Sequence, residues 1–113
     1  MAQEVSAYSV VPIAKEGARL MKKNGGGSIV ALSFIGSVLA VPNYNVMGPA
    51  KAALESAVRY LAREMGPEKI RCNSISPGAI RTLSSSGIKQ FGEMLKVAGE
   101  HSALQRNVTQ EEV

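Results

Sequence analysis

The run Ser28-Ile29-Val30-Ala31-Leu32-Ser33 decides the fold that this sequence predicts. Its middle is apolar without polar alternation, which is typical of a strand covered on both faces in a parallel sheet. A second candidate strand, Ile70 to Ile75, follows an Ala-rich helical pattern that ends near Met65 at Gly66-Pro67. Strand, helix and strand in this order predict a crossover between parallel strands, and therefore an α/β fold.

Helical patterns flank this unit on both sides. The first runs from about Ala2 to Lys23, and Pro12 interrupts it. Because a proline inside a helix removes a backbone hydrogen bond at a cost of about 3 kcal/mol, we expect a kink there or a helix that begins late. A weaker helical pattern runs from about Ser86 to Gly99. The spacing in Thr109-Gln110-Glu111-Glu112 is that of a capping box, which predicts the start of another helix.

Two strands are too few for a complete doubly wound sheet. A dinucleotide-binding sheet also needs a glycine-rich phosphate loop after its first strand, whereas Gly25-Gly26-Gly27 precedes a strand. We therefore predict that residues 1–113 form one partial domain of a doubly wound, Rossmann-type parallel-sheet fold. The parts expected to lie outside it are the N-terminal half with the phosphate loop and the C-terminal end.

The composition excludes several classes of protein. The chain has 113 residues, is 45% hydrophobic and carries a net charge of +4 without a run of about five or more like charges, so nucleic-acid binding is not indicated. A single cysteine, Cys72, and a single histidine leave no internal disulfide and no metal-ligand cluster, and fit a reducing compartment. The apolar runs are too short to span a membrane. We expect a cytoplasmic protein without metal, membrane or nucleic-acid partners.

Tyr44 and Lys51 are the first candidates for chemistry. On one α-helix, seven residues turn through about 700°, so both side chains would lie on one face, about 10 Å apart along the axis. A nearby ammonium favours the phenolate and lowers the pKa of a phenol, which would make Tyr44 a proton donor to a developing oxyanion. Spacing alone does not separate this hypothesis from two ordinary helix residues, which are more frequent.

The surrounding residues are more specific. The segments Tyr44-Asn45-Val46-Met47-Gly48, Ala50-Lys51-Ala52 and Ile80-Arg81-Thr82 resemble those of bacterial enoyl-(acyl-carrier-protein) reductases, members of the short-chain dehydrogenase/reductase superfamily. The resemblance extends from about Val5 to Thr109. It implies reduction of a trans-2-enoyl thioester on acyl carrier protein in fatty-acid elongation. The implied hydride donor is NADH, with NADPH not excluded.

The resemblance also implies roles for individual residues. Tyr44 would hydrogen-bond the thioester carbonyl, and Lys51 would bind the nicotinamide ribose. The implied cofactor contacts are Ser33, Lys51, Ile80, Arg81, Thr82, Leu83 and Ser84. The implied substrate contacts are Phe34, Tyr44, Met47, Ile88, Phe91 and Met94. Without the resemblance, Thr82 and Ser84 are equally well explained as turn hydroxyls, and Ile88, Phe91 and Met94 as core. The Ala-rich faces of the first two helices would form a homotetramer interface, although small residues also suit helix–sheet packing.

The chain departs from the family pattern at three places, one of which is Pro77-Gly78-Ala79, where the usual order is Ala-Gly-Pro. Phe34 stands where a second tyrosine is common. Phenylalanine retains the aromatic ring but has no hydroxyl that could donate a proton. Pro49 favours a helix that starts near Gly48, which would leave Tyr44 in the preceding segment.

Two other functions remain open at this point. Reductases of 3-ketoacyl groups usually show Tyr-x3-Lys, but Gly48 occupies that offset here. A truncated, non-catalytic chain that associates through its helices is the other alternative.

Overall fold

The computed structural model describes residues 1–113 and shows two parallel strands among three α-helices. In chain order these are α1 (Val10–Lys23), β1 (Gly27–Leu32), α2 (Met47–Met65), β2 (Ile70–Ile75) and α3 (Phe91–His101). The predicted alternation and the parallel pairing are confirmed. β2 has the predicted bounds, whereas β1 begins and ends one residue earlier than predicted. The two strands and α2 form a strand–helix–strand crossover unit.

α1 and α2 cover one face of the sheet. Ile29 and Ala31 on β1 pack against the core, whereas Val30 and Leu32 on the opposite face are each 55% exposed. The prediction that β1 is covered on both faces is therefore wrong for this chain. The prediction fails because α1 and α2 pack against the same side of the sheet. The apolar side chains on the other side therefore have no layer above them.

The core lies between α2, α1 and that covered face. Leu54, Val58 and Leu61, spaced three or four apart, place one stripe of α2 against Ala14 of α1 and Cys72 of β2. Small side chains at this contact let the helices approach closely. The buried alanines of α1, Ala14 and Ala18, therefore pack inside the chain.

The N-terminal segment follows one of the two predictions made from Pro12. A π-helical turn spans Glu4–Tyr8, and α1 begins at Val10, so Pro12 occupies the third position of that helix. The α-helix therefore begins late, with the proline in its first turn. A proline fits this first turn because the backbone N–H groups there have no partner within the helix.

The C-terminal third contains less helix than predicted. α3 begins at Phe91, after Gln90 in the left-handed region with φ 59°, and only a 3₁₀ turn spans Ser85–Gly87. The Thr109 N–H donates to Glu112 Oε2 at 2.9 Å, as in a capping box, but the element that follows is a single 3₁₀ turn. None of the helices combines the length and the apolar character needed to cross a membrane.

Candidate active site

A cleft of about 440 Å³ lies beyond the carboxyl ends of the two strands. Its walls come from the end of β1, the entry into α2, the segment after β2 and the start of α3. Ligands of open α/β sheets bind in this location, and the volume falls within the range of roughly 300–1,000 Å³ for small-molecule sites. A smaller depression of about 290 Å³ beside Asn43 and Glu93 contains neither Tyr44 nor Lys51. The larger cleft is therefore the candidate active site.

Tyr44 and Lys51 both line this cleft, but they do not share a regular helix. α2 begins at Met47, three residues after Tyr44, so the prediction that both lie on one helix face is wrong. The late start expected from Pro49 is confirmed, since this proline is the third residue of α2. The Gly48 N–H donates to the Tyr44 carbonyl at 2.7 Å, so the turn before α2 already has helical hydrogen bonding.

The ring of Tyr44 is held by the turn that follows β1. Tyr44 is 8% exposed. Its ring packs edge to face with the ring of Phe34, and the ring centroids lie 5.0 Å apart. A Cβ atom on Gly36 would lie 2.5 Å from a carbon of the Tyr44 ring, so only glycine fits there. Burial raises the pKa of Tyr44, because the phenolate loses solvation. The predicted lowering of this pKa by Lys51 is therefore wrong, and the Tyr44 phenol keeps its proton at neutral pH.

Lys51 is half-buried and anchored to the strand. Its Nζ donates to the Leu32 carbonyl at 2.9 Å, and burial lowers the pKa of its ammonium group. An ammonium has three hydrogens to donate, so two are left for a ligand in the cleft. The arrangement places an anchored cation at the carboxyl end of β1.

Ser33 is buried, and its hydroxyl donates to Glu55 Oε1 at 2.5 Å. The Ser37 hydroxyl donates to the same oxygen at 2.6 Å. These bonds from Ser33 and Ser37 hold the pKa of Glu55 below its ordinary value. Sequence reasoning missed Glu55, although its position one helical turn after Lys51 would have placed it on the same face of α2.

The segment after β2 is tied to itself through Ser85. The Thr82 N–H donates to Ser85 Oγ at 2.7 Å, the Ser85 N–H donates to Thr82 Oγ1 at 3.1 Å, and the Ser85 hydroxyl donates to the Ile80 carbonyl at 2.9 Å. Thr82 is therefore a turn residue, as one of the two sequence interpretations had it. Ile80, Thr82 and Ser84 also line the cleft, whereas Arg81 and Leu83 do not.

The apolar residues predicted to contact substrate come together in the cleft. They derive from the turn after β1, from α2, from the segment before α3 and from α3 itself: Phe34, Met47, Ile88, Phe91 and Met94. Sequence reasoning missed Ser6, whose hydroxyl lies 3.9 Å from the sulfur of Met47, because no motif links it to the cleft. It also missed Pro77-Gly78-Ala79, whose position directly after β2 was a usable signal.

The strand–helix–strand crossover, with a cleft beyond its strand ends that is lined by a buried phenol and an anchored ammonium, defines the class: part of a Rossmann-type parallel-sheet fold. Within that class, the chain belongs to the enoyl-(acyl carrier protein) reductase family, whose model matches residues 1–113.

Curated relatives and solved structures agree with this assignment. The chain is 54% identical over 112 residues to the enoyl-(acyl-carrier-protein) reductase (NADH) FabI of Neisseria meningitidis, covering 99% of the chain and 42% of the relative. It is 51% identical to the corresponding (NADPH) FabI of Staphylococcus aureus, covering 100% of the chain and 43% of the relative.

The solved enzyme of Bacillus cereus, in complex with NADP⁺ and an indole naphthyridinone, is 45% identical and superposes with a TM-score of 0.90. That match covers 96% of this chain and 42% of the solved one. The chain thus spans less than half the length of the relatives it matches.

Proposed function

We propose that this chain supplies the catalytic part of an enoyl-acyl-carrier-protein reductase. The reaction is the reduction of a trans-2-enoyl thioester by a nicotinamide hydride during fatty-acid elongation. The observation that carries the proposal is the single cleft in which Tyr44 and Lys51 meet a wall of apolar side chains. The family match along the whole chain supports it.

Tyr44 acts as the donor to the substrate oxygen. The bound nicotinamide supplies a hydride to the β-carbon of the enoyl group, which places negative charge on the thioester oxygen. A neutral phenol aimed at that oxygen stabilises the charge most where water is excluded. The buried, proton-retaining Tyr44 meets this requirement.

Lys51 and the segment after β2 suit a nicotinamide nucleotide. The two free hydrogens of the Lys51 ammonium can bind vicinal ribose hydroxyls, and Thr82 and Ser84 line the same cleft. Ser33 donates its own hydrogen to Glu55, so it can only accept a hydrogen bond from a cofactor hydroxyl. Contacts from Arg81 and Leu83 remain predictions, and Leu83 is 94% exposed outside the cleft.

The acyl chain occupies the apolar side of the cleft. Phe34, Met47, Ile88, Phe91 and Met94 form this wall. Burial of each CH₂ group contributes about 0.8 kcal/mol, so a wall of this kind favours an alkyl chain over a polar substrate. The carrier is acyl carrier protein, as the names of the relatives indicate.

We assign NADH as the cofactor, with NADPH as the alternative, because relatives of similar identity are named for each. The protein is further proposed to be cytoplasmic and homotetrameric. Large apolar side chains exposed on α1 and α2 support association between copies: Val11, Ile13, Leu20 and Tyr60. The same side chains favour the competing function, a non-catalytic chain that only associates.

The test uses two proteins. The first is the protein as its own gene encodes it, with its intact mass recorded. The second is a chimera in which this chain replaces the matching 112 residues of the Neisseria relative. Oxidation of NADH and NADPH is followed with a crotonyl thioester. We expect turnover by the chimera, and a folded chimera that binds NADH without turnover would contradict the proposal.

A further inference from the structure

α2 contacts the end of β1 through two residues one helical turn apart. Lys51 binds the Leu32 carbonyl, and Glu55 accepts the hydroxyls of Ser33 and Ser37 on a single carboxylate oxygen, at 2.5 and 2.6 Å. Hydrogen bonds to a charged acceptor are about twice as strong as neutral ones. The turn that follows β1, residues 33–37, is therefore held against α2 at both of its ends.

This turn forms the surface against which Tyr44 packs. Phe34 contacts the Tyr44 ring through an edge, and Gly36 approaches it so closely that a Cβ atom would overlap a ring carbon. A Cβ atom on Gly48, at the start of α2, would lie 2.8 Å from the Gly36 carbonyl oxygen. A shift of the turn must therefore move either the ring or the entry into α2.

We propose that Glu55 is a positioning residue: by holding Ser33 and Ser37, it fixes the turn that orients the Tyr44 hydroxyl toward the substrate oxygen. Glu55 is not among the residues that line the cleft, so its effect passes through the turn. This inference rests on the proposed function, because the orientation of Tyr44 matters for the rate only if Tyr44 is the donor. The hydrogen bonds from the two serines hold the pKa of Glu55 below its ordinary value, so the acceptor is a carboxylate at neutral pH.

The kinetic test compares Glu55→Leu, which removes the acceptor, with Glu55→Gln, which keeps an amide oxygen. The matched control is Glu64→Leu on the exposed side of the same helix. Since a misplacement of 1 Å can cost about a hundredfold in rate, we expect Glu55→Leu to lower kcat about 10- to 100-fold, with the Kd for NADH within about twofold. Glu55→Gln should recover most of the rate, and Glu64→Leu should match the wild type.

A double-mutant cycle with Tyr44→Phe separates positioning from a general structural effect. If Glu55 acts through Tyr44, Glu55→Leu should cost less than about threefold once the phenol is absent, because coupled residues are not additive. An equal loss in both backgrounds, or a wild-type rate for Glu55→Leu, would overturn the inference. If Glu55→Leu does not fold, Ser37→Ala removes one of the two donors and should lower kcat about threefold with the same dependence on Tyr44.

A measurement that does not need activity separates this inference from the proposed function. Ring resonances of ¹³C-labelled tyrosine, with Tyr44 assigned by its loss in Tyr44→Phe, should shift or broaden in Glu55→Leu and stay in place in Glu64→Leu. If the wild type lacks turnover but the ring responds, the proposed function fails, and what stands of the inference is that Glu55 fixes the position of the Tyr44 ring. If the wild type turns over and neither rate nor ring responds to Glu55→Leu, the positioning role fails.

Discussion

Phe34 and Tyr44 pack edge to face, with ring centroids 5.0 Å apart and ring planes at 62°. Pairs of this geometry contribute about 0.5–1.5 kcal/mol beyond the area that they bury. Because Phe34 has no hydroxyl and the other two tyrosines, Tyr8 and Tyr60, are exposed away from the cleft, Tyr44 is the one phenol that lines it. The chemistry of the site therefore depends on how this ring is held.

Gly36→Ala should displace that ring. The added methyl group would lie 2.5 Å from a Tyr44 ring carbon, and overpacking of this kind typically destabilises a protein by about 1–3 kcal/mol. We expect a lower melting temperature and a lower kcat. Gly66→Ala is the matched control, because a methyl group there meets no atom within 4 Å. Equal melting temperatures for both variants would show that the turn does not confine Tyr44.

Lys51→Met should weaken cofactor binding more than it destabilises the fold. It removes the anchored ammonium but keeps an unbranched side chain, and a hydrogen bond to a charged group contributes about 1.5–3 kcal/mol, so the Kd for NADH should rise roughly 10- to 100-fold. Calorimetric titration measures this Kd. Lys96→Met on the exposed side of α3 controls for the loss of charge. An unchanged Kd for Lys51→Met would remove Lys51 from the cofactor site.

Leu54→Ala should be among the more damaging changes to the core. Leu54 is 5% exposed at the contact of α2 with α1 and the sheet, and such truncations cost about 2–5 kcal/mol in free energy of unfolding. Chemical denaturation measures the loss. Leu104→Ala, at a site that is 74% exposed, should change stability by less than about 0.5 kcal/mol. Similar losses at both sites would contradict the assignment of the core.

Glu55→Gln should reveal a pH-dependent contribution to stability. The pKa of Glu55 in the folded protein lies below its ordinary value of 4.5, chiefly because of the bond from Ser33. The stabilisation is therefore fully present above that ordinary value and is lost as the pH falls through the folded value. The difference in melting temperature between wild type and Glu55→Gln should be largest near neutral pH and shrink in acid. A difference in melting temperature that does not change with pH would contradict this contribution of Glu55 to stability.

The sequence predicted the order and pairing of the strands because periodicity and turn residues are local signals. Pro49 likewise indicated that α2 starts after Tyr44, since a proline restricts its own helix position. The exposure of Val30 and Leu32 was not predictable in the same way, because their apolar character does not tell which faces of the sheet are covered.

The raised pKa of Tyr44 and the role of Glu55 arise from tertiary contacts. Burial of the phenol requires Phe34 and Gly36 to meet it across the entry to α2. A lone acidic residue on a helix resembles any solvated carboxylate until Ser33 and Ser37 approach it. Spacing places Glu55 on the face of α2 that carries Lys51, but local patterns contain no signal for the contacts with the two serines or for the burial of the phenol.

The most direct test of the account is the kcat of Tyr44→Phe for NADH-dependent reduction of a crotonyl thioester, measured in the protein as its gene encodes it and in the Neisseria chimera. Tyr60→Phe, at a site on α2 that is 70% exposed, is the matched control. We predict that Tyr44→Phe lowers kcat by about 10- to 1,000-fold while the Kd for NADH stays within about twofold, and that the control matches the wild type. An unchanged kcat for Tyr44→Phe would contradict the assignment of Tyr44 as the donor.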